Sequence, residues 1–152
     1  NFDKMTRPLI ILLVVFAIGA VFFGYNAYNK PHTNVAQSQA SETLLASEIF
    51  VAFDTNEQAA MAIYSDKVIQ VEGQLLSKDL SNEKEPQILL KGNGDEGFVR
   101  CGFKPTELSK VLALTDSSTV KIKGVCMGCN GSEELDLLGS KDVVLSNCII
   151  IK

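Results

Sequence analysis

Between Pro8 and Asn29 the chain carries no charged side chain, and the run PLIILLVVFAIGAVFFG inside this stretch is apolar almost throughout. A helix rises about 1.5 Å per residue, so roughly 20 apolar residues cross a hydrocarbon layer of about 30 Å. Residues 8–28 therefore read as a transmembrane helix, with Tyr25 and Tyr28 where an interfacial aromatic belt would lie. No polar face interrupts the run, as one would in a buried amphipathic helix. The run is longer than the apolar part of a signal peptide, and neither a clean small-x-small site nor a cysteine follows it. Gly19, Ala20 and Gly24 are the small residues through which such a helix would pack against neighbours in lipid. Lys4 and Arg7 precede the run, whereas Lys30 and His32 follow it, a weak bias toward a cytoplasmic N-terminus. The expected organisation is a cytoplasmic segment 1–7, the helix 8–28, a polar linker 29–40 and one folded domain 41–152.

The domain begins with a 3.6-residue period. Leu45, Ile49, Phe53 and Ala60 fall on one face, with Ser41 a plausible N-cap, which predicts an amphipathic helix. From Lys67 the period becomes two: KVIQVEGQLLS, ILLKG and FVRCGF read as three strands, with a bend or bulge at Gly73 in the first. Pro105 then opens a short helix carrying Leu108, Val111 and Leu112. STVKIKGVC and KDVVLSNCIIIK read as two more strands around a long turn from Met127 to Ser140. Five strands with a helix between the third and fourth is the order of an OB barrel, a small Greek-key barrel. The fold class is thus mainly β (α+β): a transmembrane helix, an N-terminal amphipathic helix and a five-stranded OB barrel.

Phe53, Asn56, Glu57, Ala60, Tyr64 and Lys67 form F-x-x-N-E-x-x-A-x-x-x-Y-x-x-K, followed by V-x-G at Val71 to Gly73. V-x-C-x-F at Val99 to Phe103, K-G-x-C at Lys123 to Cys126 and D-V-V-L-x-x-C at Asp142 to Cys148 come after it. Together these motifs resemble the tRNA-anticodon-like family of bacterial OB-fold proteins, over about residues 41–152. The resemblance implies an OB fold and a tethered domain outside the cytoplasm. It names no catalytic residues. The expected location is a bacterial inner membrane, crossed once, with the barrel in the periplasm.

From Ala36 onward 11 Lys plus Arg face 17 Asp plus Glu, a net of −6, which disfavours a polyanion in the groove of the barrel. Phe50, Phe53, Phe98 and Phe103 have core-like positions, leaving few aromatics for base stacking. The only histidine is His32, outside the domain, which removes the usual triads and zinc hydrolase motifs. Glu133, Glu134 and Asp136 match no calcium loop and read as a solvated turn. No catalytic residue, cofactor or metal is expected.

All four cysteines lie in the domain, and they are disulfide candidates. In an OB barrel the third and fifth strands are parallel neighbours, which favours Cys101 with Cys148 and leaves Cys126 beside Cys129. The expected function is a non-catalytic binding or scaffold module, an accessory subunit held to membrane partners by its helix. Its barrel would take a protein, peptide or glycan ligand. The alternatives are a thiol oxidoreductase using Cys126 and Cys129, marked by a lowered thiol pKa, and a periplasmic haem chaperone. The latter needs a histidine near the C-terminus, where this chain reads NCIIIK.

Overall fold

Asn56 divides what the apolar spacing presents as one helix. The structure, a computed structural model, describes residues 15–25, 34–94, 97–131 and 141–151. Helix α1 runs over Ala46–Thr55 and helix α2 over Glu57–Tyr64. At Asn56 the backbone is extended, at φ −155° and ψ 92°, and its side-chain Oδ1 accepts the Ala59 N–H at 3.0 Å. An Asn oxygen bonding an otherwise unpartnered amide is a standard helix start. Asn56→Ala should therefore cost about 1 kcal/mol, read as a lower midpoint in urea unfolding.

The residues before α1 are not helical. Thr43–Leu45 form a short strand β1, parallel to Gln70–Glu72 of the next strand. Ser41 does not cap a helix; its N–H donates to the Val68 carbonyl at 2.8 Å. The α1 start is bonded instead by the Glu48 carboxylate, which accepts the Leu45 N–H at 2.8 Å. Leu45 is exposed, while Ile49, Phe53 and Ala60 are buried as the spacing predicts.

Five longer strands follow: β2 (Val68–Asp79), β3 (Gln87–Lys91), β4 (Gly97–Phe103), β5 (Thr119–Asn130) and β6 (Lys141–Ile151). A 3-10 turn, Pro105–Glu107, and helix α3, Leu108–Leu112, lie between β4 and β5. The sheet order is β1-β2-β3-β4-β6-β5, and β2 also pairs with β5, so β2 to β6 close on themselves. β4 and β6 are parallel. This is the expected five-stranded OB barrel. The irregularity in β2 falls between Leu75 and Ser77 rather than at Gly73. Residues 127–130, expected in a turn, continue β5; the rest of that turn, 132–140, lies outside the described residues.

Alternation explains the core. Ile69, Val71, Leu75, Ile88, Leu90, Val99, Ile122, Val143 and Leu145 all point inward and are fully buried with Ile49 and Phe53. Each such side chain contributes about 1.5–3 kcal/mol on leaving water. A smaller cluster gathers Val35 with Val68 and Val125. Nearby, the Lys123 ammonium donates to the Ala36 and Ser38 carbonyls at 3.3 and 3.0 Å.

The transmembrane helix is a point of correction. Among the described residues no helix is long and apolar enough to cross a membrane. The described helical stretch is 15–25, and eleven residues rise about 16 Å, roughly half the hydrocarbon thickness. Residues 8–14 and 26–28 of the expected span lie outside the described residues. The single-pass inner-membrane placement, with its cytoplasmic N-terminus and periplasmic barrel, rested on that helix and is withdrawn with it. Asn1–His32 and Thr33–Lys152 are separate units.

Candidate functional site

In an OB barrel, oligomeric ligands lie across the outer face of the second and third strands, here β3 and β4, and against the neighbouring loops. The phase of β4 decides what that face carries. Gly97, Val99, Cys101 and Phe103 are buried, so Phe98, Arg100 and Gly102 point outward and are half-buried. Phe98, expected at a core-like position, is therefore on the outer face. Phe50, Phe53 and Phe103 are buried as expected.

Register fills in the neighbours. Leu89 lies opposite Arg100, and Lys91 opposite Phe98. On the other side Asp142 pairs with Phe98 and Val144 with Arg100. The Arg100 guanidinium donates through Nε to Asp142 Oδ2 at 2.5 Å and through Nη1 to Gln87 Oε1 at 3.4 Å. The Asp142 side chain is 12% exposed and that of Arg100 39%, so solvent weakens this pair to about 1 kcal/mol. Its effect is geometric: Asp142 and Gln87 together fix where the guanidinium sits on this face.

One end of the face opens into a cleft of about 270 Å³, walled by Asn82, Lys84 and Glu85 on one side, Gly102 to Pro105 behind, and Ser146 and Asn147 on the other. The β2–β3 loop that forms its lip is set by its own short side chains. Asp79 accepts both the N–H and the hydroxyl of Ser81, at 3.0 and 2.6 Å, which holds its carboxyl below the ordinary range. Asn82 Oδ1 accepts the Lys84 N–H at 3.1 Å, and the Phe103 N–H donates to the Pro86 carbonyl at 2.9 Å. Among the described residues, Lys84 and Lys104 are the cations in the cleft's walls.

The motif residues play another part. Phe53 and Tyr64 stack with ring centroids 6.3 Å apart, tilted by 38°. Ala60 is buried, Asn56 caps α2 beside Glu57, and the Lys67 carbonyl accepts the Cys126 N–H at 3.0 Å. They build the elbow that seats the helices on the barrel. Among the described residues nothing lies within 4 Å of a Cβ placed on Gly19 or Gly24, and both lie with Ala20 in the 15–25 helix, which belongs to the other unit.

Cys101 and Cys148 meet inside the barrel, each with a buried thiol. Cys126 is buried on β5 and Cys129 half-buried further along it. Burial pushes the Cys126 thiol up, and pushes that of Cys129 up to about 11. A redox nucleophile carries a lowered pKa, and burial moves both of these thiols the other way. Among the described residues no three His, Cys, Asp or Glu side chains gather as a metal site. Glu133, Glu134 and Asp136 lie outside the described residues.

Comparison with known proteins places these features in context. The model of the tRNA_anti-like family matches residues 4–142. No curated protein matches the chain's sequence. A candidate nucleic acid-binding lipoprotein from Klebsiella pneumoniae superposes with a TM-score of 0.57 at 18% identity, covering 81% of this chain and 100% of its own. A candidate aspartyl-tRNA synthetase from Leishmania major gives 0.48 at 8% identity, covering 88% of this chain and 26% of its own. The asparaginyl-tRNA synthetase of Entamoeba histolytica gives 0.37 at 18%, covering 57% and 21%. At these identities the first likeness bears on fold alone.

Proposed function

Because the chain belongs to the tRNA_anti-like family, whose model spans most of its length, we propose that its OB barrel is a non-catalytic binding domain. The ligand is a protein or peptide segment laid across the outer face of β3, β4 and β6. The observation that carries this reading is the half-buried Phe98 beside Leu89 and a fixed Arg100, on the face that leads into the cleft. An aromatic and an arginine set close together are what binding surfaces use as anchors. Absence of histidine from residues 33–152 supports a binding role over general acid–base chemistry.

Nucleic acid is the competing ligand, because the Klebsiella pneumoniae lipoprotein is described as a candidate nucleic-acid binder. Charge disfavours it here. The net of −6 from residue 36 onward repels phosphates, and Arg100 is already paired with Asp142. The test is selection of displayed random peptides on the full chain in mild detergent, followed by titration of the retained peptides. Phe98→Ala should weaken them about tenfold or more, and Arg100→Ala similarly. An oligo-dT of about 12 nucleotides should not bind at about 0.15 M salt. Micromolar oligo-dT binding that disappears in Phe98→Ala would replace the peptide reading. Retained peptides indifferent to both substitutions would remove this face as the site.

A further inference from the structure

Cys148 reaches the barrel interior only because β6 contains an extra residue. Leu145 is fully buried, and simple alternation over three positions would turn Cys148 outward. The β4–β6 register slips between the pairs Cys101↔Leu145 and Phe103↔Cys148, and Asn147 takes a φ of 51°. This bulge returns Cys148 to the inner wall, where it is 1% exposed and Cys101 0%. The two thiols lie within hydrogen-bonding reach on neighbouring parallel strands. Gly124 of β5 makes the room, since a Cβ there would sit 2.5 Å from the Cys148 sulfur.

We propose that Cys101 and Cys148 are a disulfide site that ties β4 to β6, and that the bond forms before the barrel closes. Two thiols give up two protons and two electrons and one S–S bond forms. A disulfide oxidant, such as oxidised glutathione or a protein disulfide, accepts the electrons and leaves as two thiols. The attacking species is a thiolate that the oxidant can reach. In the closed barrel the oxidant is kept out, because both sulfurs are buried, and burial also holds Cys148 well above the ordinary thiol range. In the open chain both conditions hold. Cys126 and Cys129 stay thiols, because they lie along one strand, opposite Leu145 and Val143.

The experiment unfolds the full chain under reducing conditions, refolds it in a glutathione redox buffer, alkylates the free thiols and maps the peptides by mass. The expected result is a Cys101–Cys148 cross-link with Cys126 and Cys129 alkylated. The oxidised form should melt roughly 10–20 °C above the reduced form, given the long loop closed. Folded reduced protein in the same buffer should acquire the bond at least about a hundredfold more slowly. The double substitution Cys101→Ala with Cys148→Ala should lose the redox-dependent melting shift. Should that variant not fold, Cys126→Ser with Cys129→Ser must still show the shift. A refolded protein without this cross-link, or with another pairing, overturns the site. Fast oxidation of the folded protein overturns the order of events.

Discussion

Phe53→Ala should lower the free energy of unfolding by about 3–5 kcal/mol, among the largest effects of any single truncation in the barrel. The ring is fully buried, stacks on Tyr64 and belongs to the cluster in which α1 meets Ile69, Leu75 and Val99. Truncation loses the transfer energy of the ring and leaves a cavity that two short helices and a closed barrel cannot collapse to fill. Urea unfolding followed by far-ultraviolet circular dichroism would measure it through the midpoint at constant slope. A loss below about 1 kcal/mol would mean that the helices are not seated on the barrel through this ring. Tyr64→Leu should be milder, because Tyr64 is only partly buried.

Gly97→Ala is expected to cost about 2–3 kcal/mol although it adds a single carbon. A Cβ at this position would lie 2.6 Å from two atoms of the Phe50 ring and 2.9 Å from a third. Phe50 is buried on α1 and cannot swing away as the tip of a flexible chain would. The helix would have to lift from the start of β4. Gly94 provides the comparison, because a Cβ there meets nothing within 4 Å and only its φ of 64° resists substitution. Gly94→Ala should therefore cost about 1 kcal/mol, as for a left-handed residue. Equal melting of the two variants would count against close helix–strand packing at Gly97.

Strand phase was the most legible part of this chain. Ile88 with Leu90, and Val99 with Cys101 and Phe103, alternate strictly, and the structure buries each of them. The same phase places Phe98 outward, against the expectation of a core-like position for it. Thr43–Leu45 was illegible because three residues carry no period; their strand exists only through pairing with Gln70–Glu72. Asn56 ahead of Glu57 was a readable cap signal inside an otherwise helical pattern. The bulges in β5 and β6 were not readable. Those between Cys126 and Gly128 and beside Asn147 arise from pairing with another strand and shift every later side chain by one face. Arg100 and Asp142 lie 42 positions apart and meet only because β4 and β6 run parallel. Of the expected span 8–28 the described helix is 15–25, and among the described residues no helix is long and apolar enough to cross a membrane.

The closure of β2 against β5 has a bearing on how the domain behaves when crowded. Open sheets present rows of unpaired amides and carbonyls on which other chains can build, and that is a route to aggregation. Among the described residues the ring from β2 to β6 closes on itself, and the extra strand beside it is β1, which is three residues long. A strand of that length offers at most one or two hydrogen bonds to a newcomer. Concentrated barrel should therefore resist strand-by-strand polymerisation as long as the ring stays shut. Self-association through added strands would begin with the opening of the β2–β5 seam.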